Sequence, residues 1–346
     1  MAKYRFDQIA INSTEKKKPV EEDRFTYLGL EHLDSGTLKV TRFGSEVAPI
    51  GEKLVMHKGD VLFGKRRAYQ KKVAIAPFDG IFSAHGMVLR PKEDVIDKDF
   101  FPLFISSDYF LDAAIKISVG SLSPTINWRD LKELDFELPD MDTQRKLAEV
   151  LWSINDTMEA YKRLISATDE LVKSQFMGMI QTAEKYEPLL DHVDVLYGFP
   201  FNSKLFNANG QGVPILRIRD INSGFSDTYT TEVADEQYFI ENGDCVVGMD
   251  GNFEIVKWSH GQAYLNQRVC KFTPKNIKRE YMIHYLRSTL KQIEEVANST
   301  TVKHLSAKDI RKMMLPIVSP ENQEWFEEFS LQSDKSKYNA SQAMRL

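Results

Sequence analysis

One short segment of the chain concentrates positively charged side chains that could bind a phosphate backbone. The run KRRAYQKK holds five cations in eight residues and directly follows the sequence GDVLFG. Each such cation can neutralise a phosphate and release condensed counterions, and an aromatic ring among them can stack or hydrogen-bond. An ordinary solvated face is the alternative interpretation. The run predicts a nucleic-acid contact through Lys65, Arg66, Arg67, Tyr69, Lys71 and Lys72.

Other polar side chains predict further contacts with DNA. Asn266, Gln267 and Arg268 are of the types that read base edges bidentately, although a polar loop without a ligand explains them almost as well. Two loops rich in Ser and Thr precede predicted short helices, where backbone N–H groups favour anions, and simple helix capping is the alternative. The remaining candidates are Ser121, Ser123, Thr125, Arg217, Arg219, Asn252, Thr301, Lys303 and His304.

The sequence lacks the motifs of common enzyme classes. It contains no GxxxxGK[ST], no GxGxxG after a strand, no HExxH and no GxSxG. It also lacks the Asp/Asn-Pro-Pro-aromatic tetrapeptide with which amino-methyltransferases hold an exocyclic amine. Asp250, Glu254 and Lys257 loosely resemble a metal-nuclease cluster, but a solvated loop is the better explanation in a chain with 50 acidic residues. We therefore expect no catalytic residue, no metal and no cofactor, with a metal-dependent nuclease as the alternative.

Three segments of the chain recur in the same order. LDFELPDMDTQ matches MMLPIVSPENQ at an offset of 179, GDVLFG matches GDCVVG at 184, and YLGLEHLDSG matches ILRIRDINSG at 188. An offset that falls along the chain is expected when loops differ in length while strands and turns recur. The pattern predicts two copies of one unit of about 140 residues, each followed by a helix.

Local patterns predict mixed α/β structure in each copy. The GD pairs precede short apolar runs, as in a turn that leads into a buried strand. Apolar spacing predicts helices over 100–117 and 280–297, and short helices over 127–134 and 306–313, the last with Ser306 as its N-cap. Further strands are predicted over 73–76, 87–89 and 269–272.

A long helix is predicted between the two copies. No Gly or Pro occurs from Gln144 to Met177, and apolar residues step by four and three, broken only at Thr168. Such a stripe needs a partner helix, and the second copy offers a poorer one in which Ser330 and Ser333 replace apolar residues, with Tyr338 as a further member. Packing into one domain's core is the alternative. The stripe residues are Leu147, Leu151, Ile154, Met158, Tyr161, Ile165, Val172, Phe326 and Phe329.

Composition limits the class of protein. A length of 346 residues favours two domains. Lys+Arg 45 against Asp+Glu 50 gives a net charge of −5, so any polyanion site must be a local patch. Two cysteines without CxxC spacing suit a reducing cytoplasm, and no apolar stretch is long enough to predict a membrane span.

The ordered motifs resemble a known family. GDVLFGKRRAYQKKVAIAPFDGIFSAHGMVLRP followed by VGSLSPTINWRDLKELDFELPDMDTQRKLAEVLWSIND resembles a target recognition domain and its helix in Type I restriction–modification specificity subunits. The second copy, with VPILRIRDINSG, ENGDCVVGMDGN, LNQRV and HLSAKDIRKMMLPIVSPENQ, is similar to the same domain. The resemblance implies two similar α/β target recognition domains (1–140 and 183–318). It also implies long conserved helices (141–182 and a shorter 319–346) that pair as an antiparallel coiled coil with pseudo-two-fold symmetry.

The resemblance also implies partners. Each domain would read one half of a bipartite double-stranded DNA target, and the helices would dock two methyltransferase subunits. Translocase/nuclease subunits would join for cleavage, so the chemistry would belong to the partners and the chain itself would be no enzyme. A helical scaffold that does not depend on DNA is the remaining alternative.

Overall fold

The computed structural model describes residues 1–221, 223, 225–251, 253–296 and 303–344. The chain divides into two compact units, Met1–Met158 and Glu159–Leu346. Within the described ranges, no helix combines the length and the apolar character needed to cross a membrane.

The first unit contains three small sheets, four short helices and the beginning of a long helix. Its strands are β1 (Ala2–Arg5), β2 (Ala10–Ser13), β3 (Lys16–Lys17), β4 (Tyr27–Leu28), β5 (Lys53–Met56), β6 (Val61–Phe63), β7 (Val73–Ile75), β8 (Gly80–Phe82), β9 (Met87–Pro91) and β10 (Asp135–Leu138). The helices are α1 (Phe6–Ile9), α2 (Phe101–Ser106), α3 (Asp108–Lys116), α4 (Trp128–Leu131) and the first part of α5 (Met141–Ile180). The sheet orders are β2-β9-β6-β7, β3-β5-β8-β4 and β1-β10.

The second unit begins within α5 and repeats this plan. Its strands are β11 (Lys185–Pro188), β12 (Val193–Tyr197), β13 (Phe206–Asn207), β14 (Val213–Leu216), β15 (Tyr229–Thr230), β16 (Phe239–Ile240), β17 (Cys245–Gly248), β18 (Ile255–Lys257), β19 (Ala263–Leu265), β20 (Val269–Pro274) and β21 (Met314–Ile317). The helices after α5 are α6 (Leu189–His192), α7 (Arg279–Val296), α8 (Ala307–Arg311) and α9 (Pro320–Ala343). The sheet orders are β12-β20-β17-β18, β13-β15-β14-β19-β16 and β11-β21.

The predicted repeat is confirmed at the level of topology. The GD strands β6 and β17 are inner strands of four-stranded sheets with the same order. The sequences matched at an offset of 188 form β4 and β14, and each pairs in parallel with one strand, β8 and β19 respectively. Two units of one design therefore follow each other along the chain.

The GD pair recurs because each residue has a structural task. Gly59 and Gly243 have φ values of 94° and 96°, in the left-handed region that favours glycine. The Asp60 carboxylate accepts a hydrogen bond from the His57 backbone N–H at 2.8 Å, and Asp244 does the same for Glu241 at 2.9 Å. Both turns are thereby closed before the buried strand begins.

Each unit has its own hydrophobic core. In the first, Phe6 packs against Phe110 and Phe136, with ring centroids 5.0 and 5.9 Å apart. In the second, Phe176 of α5 packs against Tyr281 at 5.7 Å. Among the described residues, each hydrophobic cluster draws on one unit only, so each unit can bury apolar surface by itself.

A buried glutamine fastens each long helix to its unit. Gln144 is 1% exposed; its side-chain oxygen accepts from the Asp97 backbone N–H at 2.8 Å, and its amide donates to the carbonyls of Pro139 and Val95 at 2.9 and 3.2 Å. Gln323, its match at the offset of 179, accepts from the Lys278 N–H at 3.0 Å and donates to a carbonyl of the preceding strand end at 3.2 Å. The recurring glutamines therefore have the same structural role.

The second-unit part of α5 pairs with α9 in antiparallel fashion. The rings of Phe176 and Phe326 lie 5.4 Å apart, while Lys337 Nζ lies 2.7 Å from Asp169 Oδ1, so α9 runs back along α5. The predicted long helix and its antiparallel partner are both confirmed.

Two details of the helix predictions are wrong. The segment 100–117 forms two helices, because Ser107 adopts an extended conformation and its hydroxyl accepts from the Phe110 N–H at 3.3 Å to begin a new helix. On α9, Tyr338 is 63% exposed, whereas Ser330 and Ser333 are buried. Small hydroxyl side chains permit close helix contact, and His284 Nε2 lies 3.2 Å from Ser330 Oγ.

Candidate nucleic-acid interface

Two segments of the first unit, one at His85 and one at 123–126, converge on the basic run. Backbone hydrogen bonds join Arg66 N–H to the His85 carbonyl at 3.3 Å and Ile126 N–H to the Lys65 carbonyl at 2.9 Å. The Arg66 side chain then donates from Nε to Ser123 Oγ at 3.1 Å, and its Nη1 lies 3.4 Å from His85 Nε2. The structure thus brings together Arg66 and Ser123, both predicted from sequence, with His85, which was not predicted.

The backbone of the run has an uncommon conformation. Arg67 and Lys71 have φ values of 54° and 48°, the two positive values among the non-glycine residues described. Bulky residues are rare in this region, and such outliers concentrate at functional sites. They bracket a 3-10 turn over Ala68–Gln70 that leaves Tyr69 57% exposed.

Two of the five cations are engaged inside the unit. Lys71 Nζ lies 2.6 and 2.8 Å from the carboxylates of Asp108 and Asp112, whose hydrogen bonds raise the pKa of Lys71. Lys72 Nζ donates to the Leu30 carbonyl at 2.7 Å. In the described part of the chain, no carboxylate lies within 4.0 Å of Lys65, Arg66 or Arg67, so these three cations remain available to a ligand.

Two of the available cations, Arg66 and Arg67, border a polar groove. A cavity of about 420 Å³ is lined by Tyr27, Arg66, Gln70, Ser83 and His85 among others. Burial lowers the pKa of His85, and the neighbouring charges of Arg66 and Lys65 lower it further, which favours a neutral ring. The groove therefore offers hydroxyl, amide and imidazole groups and the Glu31 carboxylate beside the positive charges of Arg66 and Arg67, a combination of donors and acceptors suited to contacting base edges.

The Ser- and Thr-containing loop beside the groove is partly occupied by its own contacts. Val119 and Thr125 exchange backbone hydrogen bonds at 3.0 and 2.9 Å, and the Thr125 hydroxyl donates to the Ser123 carbonyl at 3.1 Å. Ser121 is exposed. Of the three predicted hydroxyl residues, Ser123 contacts Arg66, whereas Thr125 shapes the loop.

The second unit carries different side chains on the same backbone frame. The Leu305 N–H donates to the Met249 carbonyl at 2.7 Å, the counterpart of the bond between Ile126 and Lys65. Asp250, at the position of Arg66, has one carboxylate oxygen 2.6 Å from His304 Nδ1 and the other 3.3 Å from Arg268 Nη1. A mixed-charge cluster therefore replaces the cationic edge of the first unit.

This arrangement disfavours the nuclease alternative. Asp250 is held by Arg268 and His304, Glu254 is exposed, and Lys257 contacts Glu280 at 2.7 Å. Among the residues that the structure describes, no group of three His, Cys, Asp or Glu side chains could hold a metal ion.

Several predicted contacts of the second unit already have partners. Arg219 lies 3.4 Å from both Asp220 and Asp227, and Arg217 lies 3.5 Å from Asp220, whose pKa is raised by burial. Lys303 Nζ lies 2.8 Å from a Glu294 carboxylate oxygen.

The remaining second-unit candidates have mixed placements. Gln267 is exposed, and its backbone N–H donates to Asn266 Oδ1 at 2.7 Å. Asn252 and Thr301 lie outside the described residues.

The apolar stripe on α5 changes character along its length. Leu147, Leu151, Ile154 and Met158 are 40%, 39%, 51% and 36% exposed. Tyr161 and Ile165 are half-buried, Val172 is buried, and on α9 Phe326 is buried and Phe329 half-buried. The first part of the stripe is therefore open to a partner, while the second is covered within its own unit.

Residues 19–167 and 193–329 match the family described as the type I restriction modification DNA specificity domain. The chain belongs to this family. The resemblance inferred from the sequence is thereby confirmed, with one match in each half of the chain.

Relatives of the specificity family support this assignment. The chain is 35% identical over 156 residues to the type I restriction enzyme EcoBI specificity subunit of Escherichia coli, covering 44% of this chain and 33% of that protein. It is 28% identical over 184 residues to the EcoDI specificity subunit of the same species, covering 50% and 41%. A putative MjaX specificity subunit of Methanocaldococcus jannaschii is 19% identical over 91% of this chain and 82% of its own length.

Solved structures support the specificity-domain fold. The S subunit of a type I restriction–modification system from M. genitalium aligns with a TM-score of 0.59 at 15% identity, over 99% of this chain and 92% of its own. A second structure, described as the structural basis underlying complex assembly and conformational transition of the type I R-M system, aligns with a TM-score of 0.58 at 15% identity, over 99% of this chain and 93% of its own.

Proposed function

We propose that the chain is the DNA sequence-recognition subunit of a type I restriction–modification complex, with each unit reading one half of a bipartite target. The observation that carries this proposal is a set of cations that have no carboxylate partner among the described residues, half-buried Lys65 and exposed Arg66 and Arg67, on a chain with a net charge of −5. Family membership and the repeated topology support it. We assign recognition to 1–140 and 183–318, and spacing to the helices at 141–182 and 319–346.

The two units present different side chains on the same backbone arrangement and therefore contact different base sequences. In the first, Lys65 and Arg67 fix the register on the phosphates while the groove beside Arg66 contacts base edges. In the second, Asp250, Gln267 and Arg268 supply an acceptor and donors of another pattern, so the two half-sites differ in sequence.

The chemistry belongs to partner subunits. Two methyltransferase subunits dock on the exposed part of the α5 stripe, and translocase/nuclease subunits complete the complex. The names of the relatives, specificity subunits of restriction enzymes, support a role without catalysis. The complex acts in the cytoplasm, where its DNA target lies.

Duplex binding across salt concentrations tests the DNA contact. Replacing Lys65, Arg66 and Arg67 by Ala together removes about two phosphate contacts, those of Lys65 and Arg67, so the slope of log K against log salt should fall by about 1.8 for every duplex sequence. Lys71→Ala is the matched control, since Lys71 is paired with Asp108 and Asp112. An unchanged slope in the triple variant would show that the run does not contact phosphates.

Two further measurements separate the alternatives. Pure protein with Mg²⁺ and plasmid should leave the plasmid intact, and reproducible nicking that Asp250→Ala abolishes would favour the nuclease. A helical scaffold predicts complexes with the methyltransferase that DNA does not affect, whereas the proposed function predicts that cognate duplex joins them.

A further inference from the structure

A second cavity lies on the other side of the basic run. It has a volume of about 330 Å³ and is lined by Asn12, Lys16, Lys65, Asn127 and Trp128 among others. Lys65 and Arg66 are neighbours in sequence but line different cavities, because successive side chains of an extended segment point to opposite sides. Lys65 is therefore separated from the groove that Arg66 borders.

Two lysines, Lys16 and Lys65, line this cavity together. Burial lowers the pKa of Lys65, and the positive charge of Lys16 lowers it further. Within the described ranges, no carboxylate oxygen lies within 4.0 Å of either Nζ atom. Lys65 is half-buried and Lys16 is exposed, and two like charges close together are unfavourable unless an anion joins them.

Neutral donors complete the surroundings of the two lysines. Asn127 precedes α4, yet its side chain makes no capping hydrogen bond. Asn12 is held by the pairing of β2 with β9, opposite Leu89, and contributes a second amide to the same wall. Two cations with amide donors around a small cavity match the charge and the acceptor oxygens of a phosphate group.

We propose that this cavity binds a phosphate group through Lys16 and Lys65, and that in the assembled complex this is one backbone phosphodiester of the DNA target. The proposal rests on the proposed function and adds a phosphate contact made by Lys16, which lies 49 residues before Lys65 in sequence. It also separates the roles of Lys65 and Arg66, the first for a phosphate and the second for the base groove.

The second unit supplies a natural comparison. Met249 occupies the backbone position of Lys65, accepts the equivalent hydrogen bond, and is 7% exposed. A thioether side chain carries no charge for an anion. The phosphate contact is therefore a property of the first unit, and Lys65→Met installs a side chain that the same backbone frame already accommodates.

The test measures duplex binding against salt for wild type, Lys65→Met, Lys16→Gln and the double variant. Each single variant should bind more weakly, and the double variant should lose about 0.9 of the slope in total, because both lysines share one phosphate. From roughly 0.05 to 0.2 M salt, the ratio of wild-type to double-variant affinity should shrink about 3.5-fold. Lys71→Met, whose partners are Asp108 and Asp112, should keep the wild-type slope.

Inorganic phosphate separates the two sources of this chemistry. Titration of the protein with phosphate, followed by phosphorus NMR line width, should show only weak binding that Lys65→Met removes. Tight phosphate binding removed by Lys65→Met, with an unchanged duplex slope, would overturn the assignment to DNA. Lys16 lies on an exposed strand, where a change to Gln should not affect folding. Lys16→Gln therefore distinguishes loss of the phosphate site from an effect of Lys65→Met on folding.

Failure of the inference differs from failure of the proposed function. If the wild type binds duplex and the double variant has the same slope, the phosphate cavity is wrong while the DNA-binding role stands. If the wild type does not bind duplex even at low salt, the proposed function itself fails. A slope loss near 1.8 in the double variant would contradict a single shared phosphate.

Discussion

Replacing Gln144 by Leu should loosen the attachment of α5 to the first unit. The change keeps the side-chain volume but leaves the Asp97 N–H and two carbonyls without their hydrogen bonds, in a site that is 1% exposed. At about 1 kcal/mol for each bond, the local free energy of opening should fall by about 3 kcal/mol. That corresponds to roughly 150-fold faster exchange of the protected amides in α2 and α3.

Hydrogen exchange followed by mass spectrometry measures this effect segment by segment. Gln323→Leu is the internal control, because Gln323 makes two corresponding bonds in the second unit and its loss should cost about 2 kcal/mol there. We expect each variant to accelerate exchange in its own unit and to leave the other unit unchanged. Equal acceleration in both units, or none in either, would refute the assigned role of the two glutamines.

Three further predictions concern other side chains. Burial lowers the pKa of His284 from 6.5 to about 4. The free energy of unfolding should therefore be highest above pH 6.5 and should fall by up to about 3 kcal/mol as the pH falls toward 4. Urea unfolding at several pH values should show this dependence, and His284→Gln should make the free energy of unfolding less dependent on pH. Arg90→Ala removes the two hydrogen bonds, at 2.7 and 2.9 Å, that the Arg90 guanidinium donates to the buried Asp60 carboxylate. The free energy of unfolding, measured by thermal unfolding, should fall by about 3 kcal/mol, and the double change with Asp60→Asn should recover part of that loss. Leu151→Glu with Met158→Glu should abolish capture of the cognate methyltransferase in a pull-down while the circular dichroism of the protein stays that of the wild type, and retained capture would contradict docking on the stripe.

The repeated features of the fold could be predicted from sequence because their causes are local. A left-handed glycine followed by a capping aspartate, as at Gly59 and Asp60, has a fixed chemistry that any second copy must keep. The long helix α5 could also be predicted, since neither Gly nor Pro occurs from Gln144 to Met177. The order of the strands in each sheet could not be predicted, because pairing between segments that are distant in sequence leaves no local pattern.

The candidate site was only partly predictable for the same reason. No pattern near Lys71 in sequence indicates that this lysine forms ion pairs with Asp108 and Asp112 of α3. His85 contacts Arg66 across 19 positions, beyond the paired ends of β6 and β9, and single-sequence patterns do not encode such a contact. Hydrophobicity predicts that Ser330 weakens the apolar stripe of α9, although its small side chain is buried and suits a close helix contact.

Arg66 and Asp250 stand at one position of a frame that main-chain amides and carbonyls hold together. Since main-chain bonds hold this frame in both units, an arginine in one unit and an aspartate in the other occupy the same backbone position. Exchanges at this position therefore change the polar groups that the surface presents while the main-chain bonds that hold the surrounding segments recur in both units.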